Sequence, residues 1–313
     1  MNHLERMGQH RYATGLVGMV ILALMTGCTT VADEAMLDTP GALESPSMPV
    51  PQVTATLDLA ERALYEGRVG DARALLNRVA LSAGTTPRTR LIAAEVQLAS
   101  GAYRPAAAAF RELTTDANVR AWALQGEGIA LALADGNSEA GQASLHAAVA
   151  RDPSLSRAWN ALGYYHDSRR EWRQAAESYA RALAVDPNSA MILNNRGFSM
   201  LMQGRIKEAL ADLGQALRYD PTLRPARENL RLALAWDGQY MLALAGAEGG
   251  DKARVLNNVG YVAMLRGDHD DAEAFLLQAI EVDPAFNAVA ARNLDYLRQL
   301  RGATGANGVP RPR

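Results

Sequence analysis

Only one cysteine, Cys28, stands among the 313 residues, so no disulfide can form within the chain and the thiol has to be read from its neighbours. Basic residues do not outnumber acidic ones, at 32 against 34. Without a cationic excess there is no broad field for a phosphate backbone, and no nucleic-acid partner is expected. Histidine is scarce: beyond residue 27 only His146, His166 and His269 occur, with no partner at ligand spacing. "GEG" at 126–128 lacks the Gly and Lys that would complete a phosphate loop. "GDHDDAE" at 267–273 sets Asp268, Asp270 and Asp271 as at a helix start, where carboxylates meet the positive end of the dipole. It lacks the alternating oxygen ligands of a calcium loop. No catalytic residue, metal ligand or cofactor is expected, and the chain does not read as an enzyme.

What is plentiful is apolar surface, at 49% of residues, much of it alanine. Alanine is the best helix former and lets helices approach closely, so the composition favours packed helices over general disorder.

The N-terminal stretch carries Arg6 and Arg11 against Glu5, then the apolar run "LVGMVILAL" at 16–24, then "MTGC". That run is too short for a bilayer core of ~30 Å but suits the apolar region of a secretory signal. Thr26-Gly27 before Cys28 resembles the lipobox of bacterial lipoproteins, with Met25 where Leu is usual. The resemblance implies a signal peptide over 1–27, cleavage after Gly27 and lipidation of Cys28. Several acyl chains together give stable membrane anchoring. Thr29, in place of the Asp associated with inner-membrane retention, points to the periplasmic face of a Gram-negative outer membrane. The alternatives are an uncleaved anchor or a buried thiol. From Val31 to Gln52 come Pro40, Pro46, Pro49 and Pro51, four acids and no base, so 28–52 is read as the lipidated cysteine and an extended, disordered tether. The Gly- and Pro-rich end at 302–313 is expected to be a disordered tail.

Between these ends the chain repeats itself. "NNRGFSMLMQG" at 194–204 returns as "NNVGYVAMLRG" at 257–267. Stepping from Gly204 gives turn positions at Gly67, Gly101, Asp135, Arg170, Gly204, Gly238 and Gly267, at intervals of 34, 34, 35, 34, 34 and 29. Five residues after each stands an alanine: Ala72, Ala106, Ala140, Ala175, Ala209, Ala243 and Ala272. An earlier column reads Ala60, Ala94, Gly128, Gly163, Gly197, Arg231 and Gly260, and Pro153, Pro187, Pro221 and Pro284 close four units. A fixed period of this length marks units of architecture, each unable to bury its apolar face alone.

The pattern resembles the tetratricopeptide repeat, best at 158–187, where Trp159, Leu162, Gly163, Ala175, Tyr179, Ala182 and Pro187 hold the signature spacings. The resemblance implies an all-α fold: an α-solenoid of about seven helix-turn-helix repeats over 53–286. The stretch 287–301 is expected to be a capping helix over the last repeat's core. The sixth unit departs from the pattern, being five residues short, with Arg231 in the small-residue column and Gly246, Gly249 and Gly250 near its end. A stunted helix and an irregular joint around 247–253 are expected there. The third unit is expected to carry its extra residue before Pro153.

In such an array the first helices of the repeats line a groove. Residues four apart on them share a face, pairing Asn160 with Tyr164, Asn194 with Phe198 and Asn257 with Tyr261. One turn further come Asp167, Leu201, Met202, Trp236, Met264 and Leu265. Amides that both donate and accept, beside aromatic and Met surfaces, suit a docked protein segment. The competing reading makes the asparagines, above all Asn195 and Asn258, bonds between neighbouring helices.

A lipid-anchored, tether-borne repeat array is similar to the pilotin lipoproteins of secretin systems, and in particular to the TadD family of tight-adherence (Flp) pilus lipoproteins. The residues that carry this are the lipobox at Cys28, the "NNRG" and "NNVG" helices, and "RPARENLRLALAWDGQYMLALAGA" at 224–247. The resemblance implies a role in pilus biogenesis through binding a secretin or a secretion-complex subunit, without catalysis. The alternative is an envelope adaptor that scaffolds peptidoglycan or proteolytic enzymes.

Overall fold

The computed structural model describes residues 48–136, 138–282 and 287–306. The expected signal segment, Cys28, the tether up to residue 47 and Pro284 lie outside them. Among the described residues there are fifteen helices and no strand. In chain order they are α1 (Val50–Tyr65), α2 (Val69–Ala83), α3 (Pro87–Ala99), α4 (Tyr103–Leu113), α5 (Arg120–Asp135), α6 (Glu139–Arg151), α7 (Ser156–Ser168) and α8 (Trp172–Val185). There follow α9 (Ala190–Met202), α10 (Ile206–Tyr219), α11 (Arg224–Trp236), α12 (Tyr240–Leu244), α13 (Gly250–Arg266), α14 (His269–Val282) and α15 (Asn287–Ala306). Successive pairs from α1–α2 to α13–α14 form seven helical hairpins, and the architecture is the tetratricopeptide-repeat α-solenoid expected from the period.

The hairpin turns explain the periodic glycines. The pivots take positive φ: Gly67, Gly101, Gly136, Arg170, Gly204, Gly238 and Gly267. A left-handed residue ends the first helix and redirects the chain, and glycine does this without a Cβ clash. Arg170, with φ 59°, is the one non-glycine pivot among the described residues. The third pivot corrects the sequence reading, which placed it at Asp135. The extra residue of the third unit lies before its turn, and the close-approach position of α6 is the buried Gly141 rather than the exposed Ala140. A Cβ on Gly141 would sit 3.2 Å from the carbonyl oxygen of Gly128 on α5.

The small-residue column has its reason in the same close approach. A Cβ on Gly163 would stand 2.6 Å from the ring of Tyr179, and one on Gly197 2.9 Å from Cγ of Leu213. Repeats three, four, five and seven thus set a bulky residue of the second helix (Leu145, Tyr179, Leu213 and Leu276) against a glycine of the first. Between repeats, Asp152, Asp186 and Asp220 precede prolines and adopt ψ of 94°, 81° and 93°. The proline ring disfavours helical geometry in the residue before it, so the helix ends there. Asp152 and Asp220 then accept the backbone N–H groups of Ser154 and Thr222, each at 2.9 Å.

The described residues form two compact units, one ending at Asn195 and the other beginning at Arg196. In the first, Phe110, Ile129, Leu145, Leu162 and Tyr165 are fully buried, and Tyr179 is enclosed with Ala175, Ala182 and Ile192. In the second, one cluster runs from Leu201 and Leu213 through Val259, Val262 and Leu276 to Ala290, Leu294 and Leu297 of α15. The last helix buries its apolar stripe on the seventh hairpin. It reaches Ala306, five residues beyond the expected end at 301. Arg301 fixes its far end through Glu273 and Asp270, each at 2.6 Å. At the other end α1 begins at Val50 with prolines on either side, a position where a missing N–H costs little, so helix starts inside the stretch read as tether.

Candidate functional site

The first helices carry a polar column one turn before the small-residue position: Gln125 on α5, Asn160 on α7, Asn194 on α9, Glu228 on α11 and Asn257 on α13. In the first unit its amides are spent on one another. Asn194 donates to Oδ1 of Asn195 at 3.0 Å, and Asn195 donates to Oδ1 of Asn160 at 3.1 Å. Asn160 and Asn194 are each only 2% exposed. In the second unit Asn257, 3% exposed, donates to Asn258 at 3.3 Å and accepts from Asn293 of α15 at 2.8 Å. The repeated phrase is therefore an interhelix clip. The expectation that these amides furnish an open groove is corrected, because burial leaves their polar atoms facing neighbouring helices. A buried amide without such a partner would cost about 1–3 kcal/mol, which is why clips of this kind come in linked sets. At Gln125 no partner among the described residues reaches the buried Oε1.

The remaining sequence-derived residues divide in the same way. Leu201 and Met264 are core residues of the second unit, and Trp236, expected to be exposed, is 8% exposed. Its carbonyl accepts from the guanidinium of Arg266, which holds the end of α11 in place. Phe198, Met202, Tyr261 and Leu265 are half-buried. Burial raises the Tyr261 phenol above its ordinary value, with Tyr296 adding to the effect, so it stays neutral. In the first unit Tyr164 is half-buried and stands edge-on to Tyr165 at 6.2 Å. Asp167 accepts the hydroxyl of the buried Tyr179 at 2.8 Å.

Three features escaped the sequence reading. Arg157 on α7 donates to both carboxylate oxygens of Glu95 on α3, at 3.3 and 3.2 Å, joining the first helices of repeats two and four. Trp122, on α5, leaves 46% of its surface exposed. His146 and His166 lie ring to ring at 6.3 Å, and His166 pairs with Glu171 at 2.6 Å. Arg157 lies three residues before Asn160 and Glu95 beside Ala94, so the repeat register could have suggested the ion pair. The imidazole contact joins the second helix of repeat three to the first helix of repeat four, positions that no single-helix spacing links.

Residues 130–190 and 165–225 match one tetratricopeptide-repeat model and residues 253–286 match another. The chain is a tetratricopeptide-repeat protein. It is similar to the type IV pilus assembly protein PilF of Pseudomonas aeruginosa, 38% identical over 101 residues, which is 31% of this chain and 39% of that protein. A probable UDP-N-acetylglucosamine–peptide N-acetylglucosaminyltransferase SPINDLY of Petunia hybrida is 39% identical over 62 residues, 20% of this chain and 7% of that one. The chain thus spans well under half the length of these relatives. Among solved structures, the Cut9–Hcn1 tetramer of APC/C superposes with a TM-score of 0.54 at 16% identity, covering 79% of this chain and 48% of that one, a likeness of fold.

Proposed function

We propose that this protein is a non-catalytic docking scaffold that assists assembly of a pilus or secretion apparatus. In this reading a lipid on Cys28 holds it at the periplasmic face of the Gram-negative outer membrane. Its partner is a secretin or another subunit of that apparatus, as in the TadD type of pilotin. The observation that carries the reading is the 38% identity over 101 residues with a pilus assembly protein. The lipobox-like "MTGC" supports the anchor. A repeat fold supports protein docking, since stacked helical repeats as a class present surfaces to which a partner segment can bind.

With the asparagines committed to clips, docking falls to the side chains that each unit by itself leaves accessible. In the first unit these are Trp122, Arg157 and Tyr164; in the second they are Phe198, Met202 and Tyr261. Aromatic and Arg anchors dominate binding energy at protein interfaces. Crosslinked pull-down from membranes should lose the secretin in Trp122→Ala/Tyr164→Ala while the protein stays folded; undiminished recovery refutes this surface. Deleting the protein should leave secretin subunits monomeric or mislocalised. A change in cell shape or murein with normal secretin multimers would instead mark an envelope adaptor. Radioactive palmitate should label the wild type and fail to label Cys28→Ser.

A further inference from the structure

The sixth hairpin lacks most of its second helix. α12 has 5 residues, where α2, α4, α6, α8, α10 and α14 have 15, 11, 13, 14, 14 and 14. The position that holds Tyr179 in repeat four, Leu213 in repeat five and Leu276 in repeat seven falls on Ala247, past the end of α12. Chain that would continue the helix instead turns through Gly246 and Gly249, with φ of 66° and 53°, into α13. The stripe of α11 that should face a second helix is left partly uncovered.

What remains is a cleft of about 320 Å³ lined by Arg227, Leu230, Arg231 and Leu234 of α11 and by Leu242 and Ala245. Its volume lies at the lower end of the range for ligand sites, enough for a few side chains. Leu242 is 58% exposed and its neighbour Met241 75%, so the rim is apolar as well as the floor. The two guanidiniums are held by carbonyls: Arg227 donates to Pro221 at 2.7 Å and Arg231 to Ala245 at 3.1 Å. Glu228 stands 4.0 Å from Arg231 but gives its two oxygens to Arg254 at 2.8 and 3.0 Å. The cleft is therefore apolar with a net positive margin.

We propose that this cleft receives an acidic amphipathic helix of a partner protein, which supplies the turns missing from α12. Shape argues for a helix, because second helices fill the equivalent place in the other repeats. Charge argues for carboxylates on its flank, opposite Arg227 and Arg231. Leu, Ile or Met at i, i+3 and i+4 of the incoming helix would meet Leu230, Leu234 and Leu242. This surface is separate from the first-helix side chains proposed above and stands whether or not they bind a secretin.

The test uses the full chain and fluorescent helix-forming peptides of about 14 residues, with one apolar stripe and flanking Glu or, in a matched control, Lys. Anisotropy should show the Glu peptide binding at least about tenfold more tightly than the Lys peptide. Arg227→Glu, at an exposed position, should abolish or invert that preference, and Leu242→Asp should remove binding, both at unchanged helical circular dichroism. Trp122→Ala/Tyr164→Ala should bind the peptide as the wild type does. Equal affinity for both peptides, or binding indifferent to Arg227→Glu and Leu242→Asp, overturns the proposal. So does peptide binding that appears only after deletion of residues 31–47, which assigns the cleft to the chain's own acidic stretch. Self-association lost in Arg227→Glu would overturn it in favour of a second copy.

Discussion

The side-chain amide of Asn195 donates to Oδ1 of Asn160 across 3.1 Å, joining α9 to α7 inside one core. Both residues are buried, so removing either partner strands a polar group out of reach of water. Asn160→Ala and Asn195→Ala should each destabilise the protein by about 1–3 kcal/mol. In a double-mutant cycle by chemical denaturation the pair should couple by at least about 0.5 kcal/mol. Additive single-mutant effects would show that the clip contributes nothing.

Gly163 should tolerate no side chain. A Cβ there lies 2.6 Å from the ring of the buried Tyr179, which cannot swing away without breaking its bond to Asp167. Gly163→Ala is expected to cost about 1–3 kcal/mol through overpacking, despite alanine's better helix propensity. Gly70, with nothing within 4 Å of a Cβ built on it, is the control: Gly70→Ala should be neutral or stabilising in the same melt.

Arg170 occupies a pivot that glycine fills in the other six turns. Left-handed backbone costs a residue with a Cβ about 1–2 kcal/mol, partly offset by the greater freedom of glycine in the unfolded chain. Arg170→Gly should therefore raise stability by about 0.5–1 kcal/mol, seen as a higher denaturation midpoint at unchanged slope. A lower midpoint would mean that Arg170 makes a contact of greater worth than its backbone strain.

Partial burial, and secondarily the charge of His166 at 6.3 Å between rings, hold His146 below its ordinary value of 6.5. The unfolded chain then binds the proton more readily, so stability should fall as pH drops through 6.5 towards the depressed value. His146→Asn should flatten the thermal midpoint between pH 7 and pH 5 relative to the wild type. Identical pH profiles would exclude the imidazole contact as a source of acid sensitivity.

The period alone determined a good deal. Seven turns, the paired helices, the alanine and glycine columns and the truncation of the sixth unit are local or near-neighbour properties, written in spacing because one helix turn and one hairpin have fixed lengths. The third pivot, Gly136, was misplaced by one residue because an inserted residue shifts the register without changing the composition of the column. Spacing also showed which residues share a stripe, as Asn160 does with Tyr164. It could not show whether that stripe meets solvent or the next helix, since this depends on the distance and angle between repeats. The tertiary structure decided that Asn160, Asn194 and Asn257 are clips, that Trp236 is enclosed, and that Arg157 reaches Glu95 from 62 residues away. It also opened a cleft on α11, because the five residues missing from the sixth unit leave a stripe that no other part of the second unit fills.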